Sequence, residues 1–128
     1  MGLELKIEEK KDKGSFTASL IGSLDTETTP AFEKKMASIL ITPPKGIILN
    51  MEALTYISSL GLAAIFRLKQ SLEKNKATLA LANLQPNVKR IFDSVKVIPE
   101  SIFATLQEAD DYLDKFIAFI NSQAKKNE

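Results

Sequence analysis

Neither cysteine nor histidine occurs among the 128 residues. Their absence removes thiol and imidazole nucleophiles, the Ser-His-Asp triad and zinc sites built on His and Cys, leaving carboxylates, hydroxyls, Lys and Tyr for any chemistry. An excess of one charge is also missing. The chain has 17 Lys+Arg against 16 Asp+Glu, a net charge of +1, and the balance holds in each half. No basic face is implied, so direct nucleic-acid binding is not expected. A glycine-rich phosphate loop is absent, which argues against nucleotide binding. Apolar residues in the first twelve positions stand singly or alternate with Glu and Lys. They form neither a signal peptide nor a spanning helix, so membrane insertion is not expected and the cytoplasm is the default compartment.

The 45% apolar and 26% charged residues are those of one ordinary folded domain. A chain of this length buries about two-thirds of its unfolded surface, enough for one core without a metal, disulfide or other cofactor.

Leu3, Leu5 and Ile7 alternate with Glu4, Lys6 and Glu8, the period of a half-buried strand. Lys10 to Gly14 reads as a solvated turn, and Phe16 to Ile21 as a second strand forming an antiparallel hairpin with the first. Helical spacing follows at Phe32, Met36, Ile39 and Leu40, with Thr29 as a cap and Pro30 in the first turn. Gly46 to Asn50 is a short apolar run suited to a strand covered on both faces. A loop is expected through Thr55, then a helix from Leu60 to Leu72, with Arg67 and Lys69 on its exposed face.

Thr78 to Ala82 repeats the buried-strand pattern, and Val88, Ile91, Phe92 and Val95 repeat the helical one, with Lys89 and Arg90 exposed. Val97-Ile98 and Ile102-Phe103, around Pro99, outline a short further strand. Thr105 and Glu108 have capping-box spacing ahead of a helix with Leu106, Ala109, Leu113, Phe116, Ile117 and Ile120 on one stripe. Phe119 widens that stripe and could instead mark a homodimer contact. The expected order is β-β-α-β-α-β-α-(β)-α: an α/β domain over residues 1–121 with a polar tail, 122–128, that frays.

The most informative stretch is Asn50 to Leu62, in which Ser58 and Ser59 stand where a loop enters a helix. Unpaired N–H groups and the helix dipole favour negative charge there, so a phosphate on Ser59 would be tolerated. Serine is equally a preferred N-cap, and local spacing does not decide between a cap and a modified or reactive serine.

Tyr56-Ile57-Ser58-Ser59-Leu60-Gly61-Leu62 resembles the signature of the STAS domain, shared by bacterial anti-sigma factor antagonists and the tails of sulfate transporters. Gly22-Ser23-Leu24-Asp25 resembles the family's turn after the second strand. Leu84-x-Pro86-x-Val88 with Ile91-Phe92 resembles its loop and helix after the fourth strand, and Glu108-Ala109 its final helix. The resemblance implies a mixed sheet of four to five strands, a hairpin followed by parallel strands, flanked by about four helices.

It also implies a mechanism. The serine corresponding to Ser59 is phosphorylated by an anti-sigma factor that is a serine kinase, and a serine phosphatase reverses the modification. Unphosphorylated antagonist binds the anti-sigma factor and frees the sigma factor, thereby regulating transcription; the phosphorylated form lets go. Ser59 is then substrate, with Ser58 a competing acceptor, and Asp25, Ser58, Leu60, Gly61 and Leu62 form the partner-binding set. Asp25 also reads as a cap of the first helix.

Ser58 and Asn50 stand where many members carry Asp, which lowers the negative potential around Ser59. Leu60 replaces a small residue and reads either as a contact or as a buried first-turn leucine. Two other functions compete: a STAS scaffold subunit of a membrane lipid- or anion-transport complex, and a small enzyme using Ser58 or Ser59 as nucleophile. The enzyme reading lacks a suitable base to activate a weak hydroxyl.

Overall fold

A computed structural model describes residues 2–95 and 101–126. Strand β1, Leu3–Lys10, pairs antiparallel with β2, Ser15–Leu24, with Leu5 opposite Leu20 and Ile7 opposite Ala18. Helix α1, Thr29–Leu40, leads to β3, Gly46–Asn50, which lies parallel to β2. A further strand, β4, Leu54–Ile57, also runs parallel to β2, beyond the end of β3. Helix α2, Ser59–Lys74, precedes β5, Thr78–Ala82, parallel to β3. Helix α3, Pro86–Val95, a two-residue strand β6, Ile102–Phe103, and helix α4, Leu106–Lys126, complete the described chain.

Among the described residues the mixed sheet therefore has six strands, in the order β1-β2-β3-β5-β6 with β4 paired to β2 off that path. Residues 54–57 correct the expectation of a loop through Thr55. Only Leu54 and Ile57 of this strand are buried, a spacing of three that does not display the period of two. Ile102-Phe103 forms its strand beside β5, whereas Val97-Ile98 lies outside the described residues.

Register explains the two cores. Leu3, Leu5 and Ile7 share a face with Ala18, Leu20, Ile47, Leu49, Leu79 and Leu81, which α1, α2 and α3 cover through Phe32, Met36, Leu62, Ile65, Leu68, Val88 and Phe92. Full burial of a side chain such as Phe32 contributes about 1.5–3 kcal/mol. On the opposite face Ile48, Ala80 and Ala82 receive Ala109, Leu113 and Ile117 of α4. Small residues on the sheet let this helix approach closely. A Cβ at Gly46 would collide with Leu113 Cδ1.

Thr105 and Glu108 form the capping arrangement: the Glu108 N–H donates to Thr105 Oγ1 at 3.1 Å, and Glu108 Oε2 accepts the Ala104 N–H at 3.2 Å. Helix α4 continues past Ser122 to Lys126. The Lys10–Lys13 run is more than a solvated turn, because Lys10 pairs with Asp110 at 3.3 Å and Lys13 with Asp114 at 3.0 Å, tying the hairpin to α4. Phe119 is 58% exposed.

Candidate functional site

Because β2, β3, β4 and β5 run parallel, their carboxyl ends share one edge of the sheet. The loops leaving that edge are the usual functional ones in an open α/β sheet. Three meet here: the β2–α1 turn, the β4–α2 junction and the β5–α3 connection.

The β4–α2 junction carries the paired serines. The Ser58 N–H donates to the Leu24 carbonyl at 2.9 Å, extending the β2–β4 pairing by one residue. Ser58 itself is extended, with φ −91° and ψ 170°, and its Oγ accepts the Gly61 N–H at 3.1 Å. Its carbonyl accepts the Leu62 N–H at 2.9 Å. Ser58 is thus the N-cap of α2, satisfying a donor that the helix alone leaves unpaired.

Ser59, one residue later, is the first helical residue and is exposed, with no hydrogen-bond partner for its hydroxyl among the described residues. No acidic side chain lies in the first turn of α2. The positive end of the helix dipole is therefore uncompensated by a local carboxylate. Tyr56 and Leu60, exposed by 48% and 42%, flank the serines with apolar surface.

Gly61 and Leu62 face the other way. A Cβ at Gly61 would stand 2.6 Å from the Leu24 carbonyl oxygen, so only glycine lets α2 start this close to β2. Leu62 belongs to the core. Gly61 and Leu62, expected in the partner-binding set, are both buried: the first turn of a helix seated on a sheet directs one side inward, and these two residues occupy it.

Asp25 organises the β2–α1 turn. Its Oδ1 accepts the N–H groups of Glu27 and Thr28, both at 3.0 Å, and the Thr28 hydroxyl at 3.2 Å. The Thr28 backbone bond is the main reason its carboxyl is held below the usual value of 3.8. Thr28, rather than Thr29, occupies the capping position of α1 without a side-chain capping bond, and its hydroxyl donates to the Ser23 carbonyl at 2.8 Å. Thr29 is buried and donates its hydroxyl to the Asp25 carbonyl at 2.6 Å.

The β5–α3 connection and the first turn of α3 contribute three amides that sequence reading passed over. Asn83 donates to Asn50 Oδ1 at 3.1 Å, Gln85 to the Glu52 carbonyl, and Asn87 to the Thr55 carbonyl at 2.9 Å. Asn50 in turn donates to Ser19 Oγ at 3.2 Å and accepts the Glu52 N–H at 3.3 Å. Together they clamp the turn that delivers β4 and the serines. Their spacing at alternate positions, 83, 85 and 87, was the available signal. Asn50 suits this place because an amide both donates and accepts, whereas an aspartate would only accept. Among the described residues, no group of His, Cys, Asp or Glu could hold a metal ion, and no helix is long and apolar enough to cross a membrane.

The STAS domain family description matches residues 6–109. A Bordetella bronchiseptica protein that carries the name anti-sigma factor antagonist BtrV is 26% identical over 89 residues, covering 70% of this chain and 77% of its own. An anti-sigma factor antagonist from Mycobacterium paratuberculosis superposes with a TM-score of 0.77 at 20% identity, over 88% of this chain and 94% of that one. The antagonist SpoIIAA, solved unphosphorylated, has a TM-score of 0.77 at 23% identity, over 88% and 97%. Its phosphorylated form, described as a Bacillus cell fate determinant, gives 0.71 at 21% identity, over 86% and 99%. A match across most of the chain, on a fold of the same architecture, makes this protein a member of the STAS domain family.

Proposed function

We propose that this chain is an anti-sigma factor antagonist switched by phosphorylation at Ser59, a regulatory binding protein and not an enzyme. Unphosphorylated, it binds an anti-sigma factor with serine kinase activity. Phosphate at Ser59 releases that partner, and a serine phosphatase resets the switch. The observation that carries this reading is the division of labour between adjacent serines: the Ser58 hydroxyl is committed to Gly61, while the Ser59 hydroxyl is exposed and has no partner among the described residues.

The chemistry of release follows from charge. A phosphoryl group adds about −1.5 to −2 charges beside Tyr56 and Leu60, a surface whose apolar contacts would otherwise be dehydrated by the partner. Desolvating that charge, or facing it with acidic groups, abolishes a modest interface. At the first helical position the same charge is favourable to α2 itself, so the domain stays folded while its partner leaves. Asp25, Ser58 and Leu60 complete the contact set, and Gly61 and Leu62 serve it from inside by fixing where α2 begins. The name borne by BtrV and the two solved states of SpoIIAA support this reading.

The test is intact-mass analysis and site mapping of the protein isolated from its host, with a Ser59→Ala variant and a pull-down of partners from the same cells. Phosphate on Ser59, lost in the variant, with a kinase-like anti-sigma factor captured by the unmodified chain, is the expected result. Ser59 unmodified under every growth condition, with transport subunits captured instead, overturns it.

A further inference from the structure

Among the described residues, strand β1 is an edge of the sheet and pairs with β2 alone. Which of its backbone groups are free follows from Gly22, opposite Leu3. The Gly22 N–H donates to the Ala53 carbonyl at 3.0 Å and its carbonyl accepts the Thr55 hydroxyl at 3.0 Å, so both turn away from β1. The Ser23 N–H instead donates to the Gly2 carbonyl at 3.1 Å. By the alternation of an antiparallel ladder, Leu3, Leu5 and Ile7 direct their N–H and C=O groups to the open edge. An eight-residue edge of this kind is a ready template for another strand.

Side chains select the occupant. Leu3, Leu5 and Ile7 are only half-buried although they pack against the main core, and Glu4, Lys6 and Glu8 are exposed on the other face. Glu4 and Lys6 approach to 4.0 Å on the same strand, exposed by 62% and 69%.

We propose that β1 pairs antiparallel with β1 of a second copy of this chain, in the register centred on Leu5. In that register Leu5 faces Leu5, Leu3 faces Ile7, and each exchanges backbone hydrogen bonds through groups now free. Glu4 of each copy faces Lys6 of the other in the closer, non-hydrogen-bonded positions, giving two opposite-charge pairs by symmetry. The apolar rows join into one continuous face, and the paired stretch ends before Glu9.

Neighbouring registers are worse. Centring on Lys6 sets Lys6 against Lys6 and Glu4 against Glu8. Centring on Ile7 sets Leu5 against Glu9 on the apolar face and runs into the turn at Lys11. Neither gives both charge complementarity and a matched apolar row.

Sedimentation equilibrium of the full chain over a range of concentrations tests this, with Glu4→Lys, Lys6→Glu, their 1:1 mixture and the double variant. Both side chains are exposed, so far-UV circular dichroism should be unchanged. The wild type is expected to show a monomer–dimer equilibrium. Each single variant, carrying two like-charge pairs, should dimerise about tenfold more weakly or worse. The 1:1 mixture should recover dimer as a heterodimer, and the double variant should recover it alone. A wild type monomeric up to about millimolar concentration overturns the proposal. So does a dimer indifferent to both charge reversals, and so does one strengthened by Glu4→Lys, which would indicate the Lys6-centred register. A dimer lost on Phe119→Ser but not on the β1 reversals overturns it in favour of the α4 surface.

Discussion

The Ser58 hydroxyl accepts the Gly61 backbone N–H at 3.1 Å, so the first of two adjacent serines holds the helix on which the second is displayed. Two hydroxyls that are chemically identical therefore have separate tasks. Separate substitutions expose the difference.

Ser58→Ala removes an N-cap and should destabilise the fold by about 1 kcal/mol. For a domain of this length that lowers the melting temperature by roughly 3–6 °C. Ser59→Ala touches no hydrogen bond and should stay within about 0.5 kcal/mol of wild type. Thermal unfolding followed by circular dichroism measures both, and equal losses would mean that the cap does not act as described.

Gly61→Ala places a methyl 2.6 Å from the Leu24 carbonyl oxygen, a backbone atom that cannot rotate away. The start of α2 must shift, at a cost of about 1–3 kcal/mol. Urea denaturation should report the loss as a lower midpoint with an unchanged slope. Partner binding should weaken as well, because the moved helix carries Ser59 and Leu60.

Asp25 gives the turn before α1 a pH dependence. Its folded carboxyl titrates below the usual 3.8 because the Thr28 N–H favours the charged form. A depressed folded value means that the extra stability is present above the unfolded value and is lost as pH falls through the folded one. Asp25→Asn keeps an oxygen acceptor without the charge. It should be less stable than wild type at neutral pH, and the gap should close as pH drops below about 4. A gap that is constant with pH would assign the effect to packing.

Asn83 sits at φ 60°, a left-handed conformation that asparagine tolerates and alanine does not, and it also donates to Asn50. Asn83→Gly loses the side-chain bond but keeps the backbone at ease, whereas Asn83→Ala loses both. The alanine variant should be the less stable by about 1 kcal/mol. Chemical denaturation of the pair measures it, and equal stabilities would show that the backbone angle carries no cost.

The sequence by itself determined most of the architecture. The period of two at Leu3, Leu5 and Ile7, the buried runs at 46–50 and 78–82, and the stripe from Leu106 to Ile117 are local records of which side of an element meets the core. Resemblance around Tyr56 to Leu62 located the candidate site. Tertiary structure alone decided the rest, because it depends on partners distant along the chain. Strand β4 exists through its pairing with Gly22, Ser23 and Leu24, with a register shift between Gly22 and Ser23 that no pattern within 54–57 announces. Gly61 and Leu62 share the signature with Ser59 and Leu60, yet the seat of α2 against Leu24 turns the first pair inward and leaves the second exposed. Ser58 is the cap and Ser59 the free hydroxyl because the Leu24 carbonyl holds the Ser58 backbone extended, and helical geometry begins only at the next residue.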